Sequence, residues 1–261
     1  FLLKKEINNK KIKIITSDEI YDFINETKSD LSILSISGFS SLNYIKPIIK
    51  NTKILGLVSK ECIVAGGHII KKLSIKYNTK IYPLDSEHYS IQNYFDKINI
   101  NKNIIKNIYI TASGGPFLNK NFNTIKNASF KKAVNHPKWK MGVKNSIDSA
   151  TLVNKCLEII EAHYLFDFDY EKLNILIHPE SLIHSIIELF DYNSSFNYFY
   201  HDMFIPIYNF LNSNLYLKKN PLLNNFNIKK NMNLNFYKPC LKNYPIIKIF
   251  NKMNKKRHEN I

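Results

Sequence analysis

Over the first 112 residues, short apolar runs alternate with longer stretches of helical spacing. "LSILSIS" (31–37), "KILGLVS" (53–59), "KIYPLD" (80–85) and "NIYITA" (107–112) are rich in Ile, Leu and Val and are predicted strands. "GFSSLNYIKPII" and "KECIVAGGHIIKKL" lie between them and are predicted helices. Upstream, Thr16 with Glu19 three residues on is a capping box, opening a short helix that carries Ile20, Phe23 and Ile24 on one face. Strands alternating with helices predict an α/β fold with a mainly parallel sheet.

Further along, the pattern loosens. Residues 116–145 are expected to form a long loop holding the only tryptophan, in "NHPKWKMG". A loop of that length is usually functional or disordered. A continuous helix is predicted from 148 to about 164, with Val153, Leu157, Ile160 and Tyr164 as its apolar stripe. A strand over "LNILIHP" (173–179) and a hairpin around "YNSS" follow. From about 214 the chain turns Asn-rich and irregular, and "NYPIIKIFNKMN" then begins a helix.

In parallel α/β sheets ligands sit beyond the carboxyl ends of the strands. Ser59-Lys60-Glu61, Asp85-Ser86-Glu87 and Ser113-Gly114-Gly115 all fall there. Asp85 and Glu87, two apart on an extended chain, point the same way. Two bare carboxylates about 6 Å apart repel by roughly 3 kcal/mol at an effective dielectric near 20. Solvation in a turn is the plain resolution; a divalent cation held by carboxylate oxygens is the functional one, with Glu158 as a third ligand. On the predicted helix Asn154 and Glu158 are i, i+4 neighbours and Lys155 is i, i+3 from Glu158. Ser149 falls near the expected helix start, where free N–H groups favour an anion. A capping Ser149 beside a surface Lys155–Glu158 pair is the plain alternative, worth a few tenths of a kcal/mol. "SGGPF" adds a hydroxyl and backbone N–H groups at a strand end, although most such stretches are simple turns. His88 and His178 are assigned to structure, and lone histidines such as His136 and His184 are more often structural than catalytic.

Composition changes this picture little. Lys and Arg outnumber Asp and Glu by 37 to 21, a net charge of +16 that suits an anionic partner, from a phosphorylated metabolite to a nucleic acid. Much of the Lys is scattered among Asn and Ile, the enrichment that AT-rich coding produces, and no single basic stripe stands out. The cysteines at 62, 156 and 240 are far apart and contain no CxxC, so neither a disulfide framework nor a zinc site is expected. No run of eighteen apolar residues exists, so no membrane span is expected.

Five stretches occur in order: "LDSEHYSI", "TASGGPF", "HPKWKMGVKNSIDSATLVNKCLEIIEA", "IHPESLIHSIIE" and "HDMFIPI". Together they resemble 1-deoxy-D-xylulose 5-phosphate reductoisomerases, enzymes of non-mevalonate isoprenoid synthesis. The resemblance implies isomerisation of the phosphorylated sugar and reduction by NADPH to 2-C-methyl-D-erythritol 4-phosphate, with Mg²⁺, Mn²⁺ or Co²⁺. It implies Asp85, Glu87 and Glu158 as metal ligands, and Ser113, Ser149, Asn154 and Lys155 around the phosphate. Lys60, Ser86 and His136 would touch substrate, Trp139 would cover it from a mobile loop at about 130–145, and His184 would lie nearby. Ser59, Glu61 and Gly142 would face NADPH, and Met203 the nicotinamide.

The resemblance also implies an organisation. Residues 1–85 would be the remainder of a Rossmann-like NADPH-binding domain, and 86–213 an α+β catalytic domain. A linker (214–240) and the start of a helical domain (241–261) would follow. The family's glycine-rich dinucleotide loop would precede Phe1, so the segment alone is expected to bind NADPH poorly. Ser59 stands where the family usually has Asn, Cys156 where Gly is usual, Asn145 in place of an apolar residue, and His201 in place of Pro. A homodimer is expected, with no nucleic-acid or membrane partner, in a plastid-type organelle (apicoplast) or alternatively a bacterial cytoplasm. A basic nucleic-acid-binding module and an inactive metal-phosphate-binding relative are the competing functions.

Overall fold

In the computed structural model, which describes residues 11–98, 100–137, 142–215 and 233–252, the chain builds two sheets. Strands β1 (Ser29–Leu34), β2 (Thr52–Leu57) and β3 (Lys80–Pro83) pair in parallel in that order. Helix α1 (Ile20–Glu26) leads in, while α2 (Leu42–Asn51) and α3 (Lys60–Tyr77) make the two crossovers. The expected capping box forms only in part: the Thr16 N–H donates to Glu19 Oε2 at 3.2 Å, but the Thr16 hydroxyl donates to the same carboxylate, and Glu19 itself is the N-cap of α1. Helix α2 buries Ile45, Ile48 and Ile49, an i, i+3, i+4 stripe. They meet Leu34, Leu55 and Leu57 of the strands and Ile63 and Ile70 of α3 in one core. Each such side chain contributes about 1.5–3 kcal/mol on full burial.

The fourth predicted strand departs from the single parallel sheet. Strand β4 (Ile105–Ala112) belongs to a second, mixed sheet with β5 (Leu173–Ile177), β6 (Ile183–Leu189) and β7 (Ser194–Tyr198), in the order β5-β4-β6-β7. Of its three pairings only β4–β5 is parallel, and β4–β6 and β6–β7 are antiparallel. The cause is helix α4 (Ser86–Lys97), which packs against β6 and β7 instead of returning across the first sheet.

The expected loop at 116–145 is in part helical. It holds α5 (Phe122–Lys126) and α6 (Phe130–Val134), too short for periodicity to reveal, and the start of α7 (Val143–Thr151). Asn121 caps α5 by accepting the Thr124 N–H at 2.8 Å.

The continuous helix expected over 148–164 is two helices, α7 and α8 (Val153–Phe166), separated by Leu152 at φ 59°. A left-handed leucine costs about 1–2 kcal/mol. Its side chain is 1% exposed in the core, and that burial offsets the cost. Of the expected stripe only Ile160 is fully buried, whereas Cys156, Ile159, Ala162 and Phe166 go deeper. Helix α8 is covered on more than one side, by α3 and by β4 and β5, so a single stripe does not describe it. The chain is also regular up to 215, because α9 (Phe204–Leu215) follows the "HDM" turn. Its Phe210 packs on Tyr82 with ring centroids 5.2 Å apart. After residues outside the described range, α10 (Pro245–Lys252) packs on α8. No helix among the described residues is long and apolar enough to cross a membrane.

Candidate active site

The carboxyl end of β3 runs straight into α4, and this junction starts the site. The strand stops at Pro83, so Asp85 and Glu87 are not paired across a strand pleat as expected. Asp85 is the N-cap of α4, accepting the Glu87 N–H at 3.1 Å, and Glu87 lies in the first turn. A helix N-terminus favours both negative charges. Helix α8 brings Glu158, and one oxygen from each of Asp85, Glu87 and Glu158 lies within 4.8 Å of the others.

Two buried lysines bridge these acids. Lys60, at the start of α3, places its ammonium 2.6 Å from Asp85 Oδ2 and 2.8 Å from Glu158 Oε1. Lys155 reaches Glu158 Oε2 at 2.8 Å and also bonds Glu87. The plain reading of Lys155–Glu158 as a surface pair fails, since the two residues are 6% and 1% exposed. Asn154 donates to Glu158 as well. Behind them His88 sits 3.3 Å from Asp85 Oδ1 and 3.2 Å from Glu161 Oε2, and its Nε2 donates to the Glu158 carbonyl at 2.9 Å.

Burial opposes charge here, and the pairings decide the outcome. Burial would lower the Lys60 pKa, but Asp85 and Glu158 hold it well above the ordinary lysine value. Burial would raise Asp85, yet Lys60 and His88 hold it well below the usual carboxylate range. Glu87 is pushed up to about 7 by burial and by Glu158, against the pull of Lys155. Counted fully ionised, four carboxylates (Asp85, Glu87, Glu158, Glu161) face three basic groups (Lys60, Lys155, His88) and leave one formal negative charge in excess. Burial pushes Glu161, like Glu87, up to about 7, so near pH 7 that excess is partly neutralised by protons a cation would displace. Three hard oxygen donors with that excess fit a divalent cation. A cation added there would leave the cluster net positive toward an anionic ligand.

Asp85, Glu87, Glu158, Lys60 and Lys155 line one cavity of about 320 Å³, with His88 and Glu161 outside its lining; the volume is at the lower end of ligand sites. Around it lie Lys60, Asp85, Ser86 and Glu87 from the first sheet's strand ends, and Ser113 from β4 of the second sheet. His136 borders it, and its Nε2 lies 3.0 Å from Ser113 Oγ. Ser149, expected at a helix start, instead occupies the last turn of α7. The break at Leu152 still brings it to the same cavity as Asn154, Lys155 and Glu158. His184 and Met203 complete the expected set. The His184 ring stacks on Phe199 at 3.9 Å and donates to the Phe199 carbonyl at 3.1 Å. Burial lowers its pKa to about 3, and burial with Lys155 nearby lowers His136 to about 4, so both imidazoles are neutral near pH 7.

Other expected residues lie elsewhere. The Ser59 hydroxyl donates to the Ile36 carbonyl, and Glu61 binds Lys144 at 2.5 Å; neither lines the cavity. Gly142 is the N-cap of α7, away from the lining. Trp139 lies outside the described residues. Conversely, Thr111, Asn145 and Ser181 line the cavity without having been singled out for it. Each sits inside a quoted motif, but a hydroxyl or amide there carries no spacing signal. Glu161, three residues past Glu158, had one: helical spacing puts the two on one side of α8.

Fold and cavity together define an α/β protein with a carboxylate-and-lysine ligand site at strand ends, suited to a divalent cation and a phosphorylated molecule. Comparison with known proteins narrows this class. Residues 81–166 match the family model "1-deoxy-D-xylulose 5-phosphate reductoisomerase C-terminal domain". The chain is 42% identical over 260 residues to 1-deoxy-D-xylulose 5-phosphate reductoisomerase of Pelagibacter ubique, covering 96% of this chain and 64% of that protein. It is 38% identical over 265 residues to the apicoplastic protein of that name from Plasmodium falciparum, covering 95% of this chain and 53% of the relative. A crystal structure of DOX-P reductoisomerase in complex with NADPH, fosmidomycin and magnesium superposes with a TM-score of 0.80 at 30% identity, covering 95% of this chain and 63% of that one. Nearly the whole chain is thus similar to 1-deoxy-D-xylulose 5-phosphate reductoisomerases, and it spans 53–64% of the length of these relatives. These relatives favour the enzyme over a nucleic-acid-binding module.

Proposed function

We propose that this chain carries the metal- and substrate-binding part of an enzyme that isomerises 1-deoxy-D-xylulose 5-phosphate and reduces the product with NADPH to 2-C-methyl-D-erythritol 4-phosphate. The observation that carries the reading is the meeting of Asp85, Glu87 and Glu158, from two distant segments, within 4.8 Å beside Lys60 and Lys155. Asp85, Glu87 and Glu158 hold the divalent cation, Mg²⁺, Mn²⁺ or Co²⁺. When bound, it supplies Lewis-acid polarisation of neighbouring sugar oxygens, as NADPH supplies the hydride. Ser113, Ser149, Asn154 and Lys155 offer hydroxyl, amide and ammonium donors to the phosphate. That remote contact orients the sugar. Lys60, Ser86 and His136 contact the sugar itself. His184 and Met203 border the nicotinamide, and Glu61 and Gly142 lie on the cofactor side. Ser59 contributes through its backbone, since its hydroxyl is committed to Ile36.

The same reading divides the chain near 85 into a cofactor-binding remainder and a catalytic domain, followed by a linker and a helical start. It also takes the protein as a homodimer. The relatives include an apicoplastic protein and bacterial ones, and we favour a plastid-type organelle. A coupled NADPH-oxidation assay of the full-length protein tests the function. Turnover of 1-deoxy-D-xylulose 5-phosphate should vanish with chelator and return with Mn²⁺. Undiminished turnover in chelator sinks the metal role, and no NADPH oxidation at all sinks the function.

A further inference from the structure

We propose that Tyr244 is a positioning residue of the anion pocket, locking the Gly114–Gly115 peptide plane so that the Gly115 N–H faces the Ser113 hydroxyl. The inference rests on the reading that Ser113 contacts the ligand's phosphate. Tyr244 is 5% exposed and precedes α10, whose Ile247 and Phe250 share its core. Its phenol donates to the Gly114 carbonyl at 3.0 Å, across 130 residues of chain. The N–H of the same peptide unit, that of Gly115, donates to Ser113 Oγ at 3.1 Å. In a trans peptide the carbonyl and the N–H point opposite ways, so fixing one aims the other.

This plane is soft by sequence. Gly114 and Gly115 both have positive φ, 84° and 63°. The positive φ favours glycine at both positions, and the surroundings are tight as well. A Cβ on Gly114 would come within 2.7 Å of Leu118 Cδ1, and one on Gly115 within 3.1 Å of the Ala150 backbone. Glycine takes either sign of φ about as readily, so a coupled turn about Gly114 ψ and Gly115 φ can flip the plane at little steric cost. A flip would aim the Gly114 carbonyl dipole into the anion pocket and strand the buried Tyr244 hydroxyl. An unpaired buried hydroxyl is costly, and that cost holds the plane. With the Gly115 N–H occupying one Ser113 lone pair, the serine proton stays available to His136 or to a phosphate oxygen.

The test uses full-length protein with Mn²⁺, comparing Tyr244→Phe with Asn243→Ala. Asn243 anchors the same segment to the Lys120 carbonyl at 2.9 Å but does not touch the glycine plane. Tyr244→Phe should weaken 1-deoxy-D-xylulose 5-phosphate and inorganic phosphate in parallel, about fivefold to tenfold, the range for one hydrogen bond. Mn²⁺ affinity should stay within about twofold. In ligand-free protein the Gly115 amide should exchange about tenfold faster, by NMR. Asn243→Ala should leave all of these within about twofold. Unchanged affinity or unchanged Gly115 exchange in Tyr244→Phe overturns the proposal, as does an equal effect from Asn243→Ala. Failure of the wild type to bind the sugar phosphate counts against the proposed function, while the exchange measurement still decides the lock.

Discussion

The Lys60 ammonium lies 2.8 Å from Glu158 Oε1, joining residues 98 positions apart. Both groups are almost fully removed from water. Buried ion pairs seldom stabilise a fold more than a well-packed apolar pair of the same volume. A cluster that keeps four carboxylates and three basic groups together is therefore better explained by what it binds than by stability. The same geometry places the start of α3 beside α8 in the cavity wall.

Glu158→Gln isolates the cation role, because it removes the charge and keeps the shape. In the full-length protein Mn²⁺ affinity should fall by at least about 10–100-fold, the cost known for disturbing even outer partners of metal ligands. Turnover should fall with it. Glu61→Gln, at an acid bound to Lys144 outside the cavity, should leave Mn²⁺ affinity unchanged. Titration calorimetry with Mn²⁺ on both variants checks this. Equal affinity in Glu158→Gln and wild type removes Glu158 from the ligand set.

Why the acids were legible and other features were not has a physical basis. Asp85 and Glu87 stand out because two carboxylates next to a strand end need an explanation, whatever the local conformation. The conformation differs from the extended one that their spacing suggests. The Asp85 cap ends the strand early, and capping depends on one N–H contact that a strand-like sequence does not announce. The break at Leu152 was invisible because an apolar residue fits a helical pattern equally well in either backbone state. Tyr244 was unreadable for another reason. Its partner is a backbone carbonyl 130 residues away, and no periodicity encodes that.

Gly67 of α3 sets how closely α8 approaches. An added Cβ would lie 2.4 Å from Tyr164 Cγ and 2.9 Å from its Cβ, and the Cβ cannot move without the α8 backbone. In an open helix Gly→Ala gains about 0.5–1 kcal/mol. Overpacking costs about 1–3 kcal/mol and wins here. Gly67→Ala should therefore lower stability by about 1–2 kcal/mol in urea unfolding. A stabilised variant would show that the two helices separate freely.

Ser59 separates a cofactor contact from a structural one. Its side chain is buried and donates to the Ile36 carbonyl, which links the end of β2 to the chain after β1. Ser59→Ala leaves that carbonyl short of a partner and should cost about 1–2 kcal/mol. The KM for NADPH in the full-length enzyme should stay within about twofold. A tenfold rise in that KM with unchanged stability would reverse the assignment.

His184 gives the protein an acid-sensitive element with a definite sign. Unfolded, its imidazole titrates near 6.5; folded, burial holds the pKa down to about 3. The unfolded chain therefore takes up the proton first as pH falls. The stability that neutral His184 contributes is complete above about pH 6.5 and is withdrawn steadily down to about pH 3. His184→Gln keeps a donor for the Phe199 carbonyl and removes the titration. Urea midpoints at pH 7 and pH 4 should show wild type losing more stability than the variant, by a few kcal/mol. The carboxylate cluster titrates in both proteins, so the difference between the two curves isolates the histidine. Parallel curves would mean that the ring accepts a proton in place, with the charge relieved by the acids across the cavity.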